Sequence, residues 1–175
     1  MLYLQTTTKS DPRLRSRMAV HYSHPQGFVG RSICYAIFEE DIYYGHIVGG
    51  STPKYLPGVH RPPLLNIVNN IFFHVEKVGG AYPLHNFVPR IIAKYRTQVE
   101  QDWYDKYGDY VQRHESLVEI PRAGDCYLRD GWELVGQTKG QTCKRVAGIS
   151  TDSWSGKRVW DTINLRPKLV FAYTV

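Results

Sequence analysis

Hydrophobic periodicity divides this chain into strands and helices. From His114 to Thr138 the sequence HESLVEIPRAGDCYLRDGWELVGQT reads as strand, turn, short helix and strand. HESLVEI ends on Glu119, and Pro121 stops it because proline cannot donate to a sheet ladder. GDCYLRDGW starts as a helix near Asp125, read as its cap, carries Tyr127 and Leu128, and stops at Gly131. WELVGQT then alternates apolar and polar positions, as a half-buried strand does.

The same reading extends upstream. Ser10 or Asp11 caps a helix that has Pro12 at its first position and continues through RLRSRMAVHY. ICYAIF and IYYGHIV, separated by Glu39, Glu40 and Asp41, predict a hairpin. STPKYLPGVHRPP holds four prolines and predicts a surface loop. LLNIVNNIFFHVEK predicts a central strand ending at Gly79-Gly80. NFVPRIIAKYRTQV has helical spacing, with Phe87, Ile91, Ile92 and Tyr95 on one side, Asn86 as N-cap and Pro89 in the first turn. EQDWYDKYG predicts a second short helix ending at Gly108. PKLVFAYTV predicts a last strand after a loop rich in Gly, Ser, Thr and Lys. Strands interleaved with helices in this order predict an α/β (α+β) class, a mixed sheet flanked by helices.

A chain of 175 residues with ordinary hydrophobicity predicts one domain, 1–175, with its own core. No apolar run reaches membrane-spanning length, and MLYLQTTTKSDPR lacks the regions of a signal peptide. Cys34, Cys126 and Cys143 are odd in number and widely spaced, so no disulfide framework or zinc knuckle is indicated. These features predict a cytoplasmic protein. The net charge of +6 is unevenly spread: +4 over residues 1–35, −3 over 36–136 and +5 over 137–175. An acidic middle between a basic helix at 10–22 and a basic segment at 139–175 suits flanks that neutralise phosphates.

With these elements in place, several motifs carry a resemblance. HYSHP with the following VGRS, IVGGSTP, LLNIVNN, HNFVPR and VEIPRAGDCYLRDGWELVGQTKG resemble the Mom-like phage DNA-modification proteins and the related DruA-type proteins of the Druantia defence system. The match covers roughly residues 18 to 140, and its last motif is the most specific. It implies a GNAT-like (N-acetyltransferase) fold, with a mixed, mostly antiparallel sheet flanked by helices. The implied activity is transfer of an acyl-derived, carbamoylmethyl-type group to adenine in duplex phage DNA, protecting it from restriction. An acyl-CoA (acetyl-CoA) donor and an iron ion come with that resemblance. Two other readings stand beside it: a GNAT acetyltransferase acting on a small amine or protein lysine, and a non-catalytic DruA-like DNA-binding component.

The resemblance implies a functional pair at His21 and Tyr22. Histidine moves protons near neutral pH, and imidazole, phenolate and carboxylate ligate iron, so His21, Tyr22 and Glu119 are also candidate iron ligands. Glu119, at a strand end, is a candidate general base on an amino group. Tyr127 falls where many GNAT enzymes place the acid for the leaving thiolate. The spaced glycines of the usual pyrophosphate loop are missing. The helix starting at Asn86 still offers free N–H groups, with Arg90 on its first turn, as a phosphate site. Asn69 and Asn70 interrupt an apolar strand, so at least one faces the site or a buried network. His46, His74, His85 and His114 lack metal-ligand spacing and read as structural. For DNA, the candidates are Arg13, Arg15, Arg17, Arg31, Lys54, Lys139, Lys144 and Arg145. Trp154 and Trp160 interleave with the basic tail as stacking groups.

Overall fold

The computed structural model describes residues 1–22, 27–52, 66–149 and 158–175, with 141–149 and 158–165 described for the backbone alone. The strands are β1 (Leu2–Thr7), β2 (Ser32–Glu39), β3 (Ile42–Ser51), β4 (Ile67–Val75), β5 (Arg113–Glu119), β6 (Glu133–Gln137), β7 (Gln141–Ile149), β8 (Arg158–Leu165) and β9 (Lys168–Thr174). The helices are α1 (Pro12–Val20), α2 (Phe87–Tyr107) and α3 (Asp125–Arg129). Seven strands form one sheet in the order β1-β2-β3-β4-β5-β9-β6, and β7 and β8 form a separate two-stranded sheet. All pairings in the large sheet are antiparallel except β4 with β5. This is the mixed, mostly antiparallel α/β sheet that the sequence predicts.

Local chemistry accounts for most boundaries. Asp11 caps α1 by accepting from the Arg13 N–H at 2.8 Å, with Pro12 at the first helical position. The β2–β3 turn holds Glu40 and Asp41 at φ 49° and 65°, the left-handed pair of a tight hairpin. The structure departs from expectation at five places. α2 is one helix of 21 residues and not two, because after Pro89 in its first turn no glycine or proline follows before Gly108, and Val99 and Trp103 continue its buried stripe. Asn86 precedes α2 with φ 53° and makes no side-chain capping bond. Gly124 is the residue before α3, which puts Asp125 inside the first turn and not at the cap. The leading segment forms β1, and the stretch read as a loop after Thr138 contains β7 and β8.

Packing separates the two faces of the sheet. On one face α1 lays Leu14 over Cys34, Val48 and Phe72. On the other α2 packs Ile91, Tyr95 and Val99 over Tyr35, Ile47 and Val68. The helix comes so close that a Cβ at Gly49 would stand 2.5 Å from the Tyr95 hydroxyl oxygen. A second cluster on the α2 side joins Ile92, Val118, Tyr127, Trp132 and Phe171, and anchors α3.

The parallel pair opens the sheet. β4 and β5 are in register only from Ile67 opposite Arg113 to Asn70 opposite Ser116. β4 also carries an extra residue, since Val48 faces Phe72 while Gly49 faces Asn70, leaving Ile71 bulged. Beyond that point the strands part, and β5 pairs only with β9.

Candidate active site

The parting of β4 and β5 leaves a cavity of about 690 Å³. Because it lies between strands, it is walled from both faces of the sheet. Asn70, Ser116, Cys126 and Tyr127 line it on the α2 side. His21, Tyr22, Phe72 and His74 line it where the chain leaves α1. Three of the four predicted catalytic residues, His21, Tyr22 and Tyr127, therefore meet in one cavity. Glu119 is not among the residues lining it; the Glu119 carboxylate lies 3.9 Å from Arg166 Nε.

Tyr127 is held from two sides. Its hydroxyl oxygen accepts from Asn70 Nδ2 at 2.9 Å and from the Ser116 hydroxyl. With both acceptor positions used, the phenolic proton is left to point elsewhere. Burial pushes the Tyr127 pKa well above the usual phenol value, outweighing the pull of Ser116. The ring is clamped by Phe171, stacked at 5.6 Å, and by Trp132, edge-on at 5.0 Å. Asn70 spends its Nδ2 on this contact and leaves Oδ1 buried with no partner.

The α1 side is aromatic and cationic. His21 is buried, with its ring 4.2 Å from that of Tyr22 and 4.7 Å from that of Phe72. Its Nε2 lies 3.2 Å from the Phe73 carbonyl oxygen, a contact that a neutral ring makes with its proton on Nε2. The Arg122 guanidinium sits 3.6 Å above the Tyr22 ring. Burial raises the Tyr22 phenol against the opposing pull of Arg122. Burial likewise pushes the Cys126 thiol up to about 11, so it remains a thiol at neutral pH and is a poor nucleophile.

The remaining candidates are dispersed. Arg90 and Asn86 are exposed at the start of α2, outside the cavity wall. Arg13 pairs with Asp11 at 3.0 Å, Arg17 with Glu76 and Arg31 with Asp109, so carboxylates already neutralise part of the expected basic surface. Arg15 and Lys139 are exposed. Lys54, Trp154 and the loop 53–65 lie outside the described residues, as do the side chains of Lys144, Arg145 and Trp160. Among the described residues no three His, Cys, Asp or Glu side chains gather to hold a metal, and His21 Nε2 is directed at a carbonyl. Nothing in this arrangement adds support for iron at His21, Tyr22 and Glu119, and no step below is routed through it. Ser116 and Arg122 are site residues that the sequence reading did not single out. Ser116 follows Arg113, His114 and Glu115 in β5, so no local pattern sets it apart.

No protein-family model and no curated protein matches the chain. Solved structures do. An acetyltransferase from Bacillus subtilis, determined in complex with CoA, matches with a TM-score of 0.57 at 12% identity, over 100% of this chain and 99% of that one. A GNAT family acetyltransferase from Elizabethkingia anophelis with acetyl-CoA bound matches with a TM-score of 0.55 at 8% identity, over 99% and 98%. The ribosomal-protein-S18-alanine N-acetyltransferase from Escherichia coli matches with a TM-score of 0.53 at 11% identity, over 100% and 94%. At such low identity the likeness speaks for architecture alone: the chain has the fold of the GNAT acetyltransferases.

Proposed function

We propose that the protein transfers an acyl group from a CoA thioester to an amine. The observation that carries this reading is the cavity where β4 and β5 part, with the proton-bearing Tyr127 fixed at its wall. A CoA thioester, when bound, supplies an electrophilic acyl carbon and a thiolate leaving group. The unpartnered Asn70 Oδ1 suits an N–H of such a ligand, and the N-terminal turn of α2 with Asn86 and Arg90 would take its phosphates. The His21 imidazole takes a proton from the attacking amine. Tyr127, protonated throughout the physiological range, gives one to the departing sulfur. Cys126 stays out of the chemistry, so the acyl group passes directly to the acceptor.

The finer reading, in which the amine is the exocyclic amino group of adenine in phage DNA, is supported by the Mom-like motifs and by charge. β7 and β8 form a hairpin of their own, and their sequence carries Lys144, Arg145 and Arg158 against Asp161. One experiment separates the acceptors. Free CoA release from acetyl-CoA is followed with duplex DNA, a polyamine, an alanine-terminated peptide and an aromatic primary amine. Turnover with any of them, together with calorimetric binding of acetyl-CoA, supports acyl transfer. Turnover with DNA, with a new adenine-derived mass after digestion, supports the finer reading. Absence of acetyl-CoA binding overturns both.

A further inference from the structure

We infer that Asn69 is the residue that recognises the acceptor nitrogen, and that it selects amines still carrying an N–H after one proton has been removed. The inference rests on the acyl-transfer reading. Neighbouring strand residues point to opposite faces. Val68 packs under α2 and Asn70 holds Tyr127, so Asn69, between them, faces the α1 side, where His21 rests on Phe72. Asn69 is 5% exposed and lines the cavity, and its Oδ1 is buried with no partner. A carboxamide oxygen in that condition destabilises the fold unless a ligand or water satisfies it. Leucine would fill this apolar strand position at no such cost, so the polar group is better explained by the site than by folding.

The chemistry identifies the partner. As the N–C bond forms, the C–S bond breaks, and its electron pair goes to sulfur together with the Tyr127 proton. One amine proton goes to His21. A primary amine keeps a second N–H through this step and into the amide product; a secondary amine keeps none. That remaining N–H becomes a stronger donor as the nitrogen loses electron density, so its bond to Asn69 Oδ1 tightens in the transition state. The aromatic wall of His21, Tyr22 and Phe72 beside it favours a flat acceptor.

The test is Asn69→Leu, assayed with the fastest primary amine of the panel above and with its N-methyl derivative. The wild type is expected to prefer the primary amine by about a hundredfold in kcat/KM, the cost of leaving a buried acceptor unpaired. Asn69→Leu is expected to slow the primary amine by about thirtyfold and to reduce the preference to a few-fold. Its melting temperature should equal or exceed that of the wild type, and its acetyl-CoA affinity should be unchanged. A destabilised variant would assign Asn69 a structural role, and lost acetyl-CoA binding would place it on the donor side; each overturns the inference. Unchanged discrimination does so as well. Wild-type protein that binds no acetyl-CoA removes the acyl-transfer reading and this inference with it.

Discussion

Tyr127 enters the cavity from a helix of only five residues, yet it is among the best-fixed side chains in the molecule. Two donors on its oxygen and two aromatic rings on its flanks leave little rotational freedom, which is what a positioned acid requires. Tyr127→Phe keeps the ring packing and removes the proton. It should lower kcat by about a hundredfold with acetyl-CoA binding preserved, as single-turnover rates and calorimetry would register. Because the pKa is raised, the alkaline limb of the wild-type pH–rate profile should lie above pH 10 and be missing in the variant. At this scale much was legible. His21, Tyr22 and Tyr127 stood out by type and motif, and the Asn69-Asn70 interruption of an apolar run pointed to polar burial. Glu119 stands beside the cavity and not in its lining, close enough that its backbone N–H and its charge both act on Tyr22. Ser116 was missed because one hydroxyl in a strand has no periodicity of its own.

Elements were legible where their signals were local. The cap and proline at the start of α1, the β2–β3 hairpin and the β5–α3–β6 succession follow from residue type within a few positions. The reading failed where a signal was absent. α2 was divided at Val99 although nothing there breaks a helix, and β1 was overlooked in a short segment whose alternation Leu2, Leu4 becomes informative only beside β2. The β2–β3 turn offers an element-scale test. Glu40 and Asp41 occupy left-handed positions that favour Asn-Gly. Replacing the pair with Asn-Gly should stabilise the protein by about 1 kcal/mol, read as a shift in the urea midpoint without a change in slope. Gly124 is the converse case. It combines φ 72° with a Cβ position 2.4 Å from the Phe171 ring, so Gly124→Ala should displace α3, lower the melting temperature and reduce turnover.

At the scale of the whole molecule, the sheet places ionisable groups where water cannot reach them. His46 is fully buried between β3 and α1, with Nδ1 2.6 Å from the Tyr43 hydroxyl and Nε2 3.7 Å from Asp11. Burial lowers its pKa from 6.5 to about 4 despite Asp11, with Arg13 and Arg17 pulling the same way as burial. The unfolded chain therefore binds a proton that the folded chain refuses between these values. Stability should be full above about pH 6.5 and fall as the pH drops toward 4, by roughly 3 kcal/mol from this group. Urea titrations at pH 7 and pH 4.5 should show this fall in the wild type and a smaller one in His46→Gln. Fold class was readable from the order of elements, and the swap that inserts β9 between β5 and β6 was not, because nothing local to β9 names its neighbours.

The single parallel junction also has a temporal side. Every strand from β1 to β4 is complete by residue 75, whereas the neighbour that covers β4 begins at residue 113. A growing chain therefore presents the outer edge of IVNNIFFHV uncovered while α2 is still being made. Bare apolar edges of this kind recruit other chains. The two asparagines at its middle interrupt the run most prone to such pairing and act as gatekeepers during synthesis. Asn69→Leu, neutral or better for the finished fold, should consequently raise the insoluble fraction during expression, most of all when translation is fast.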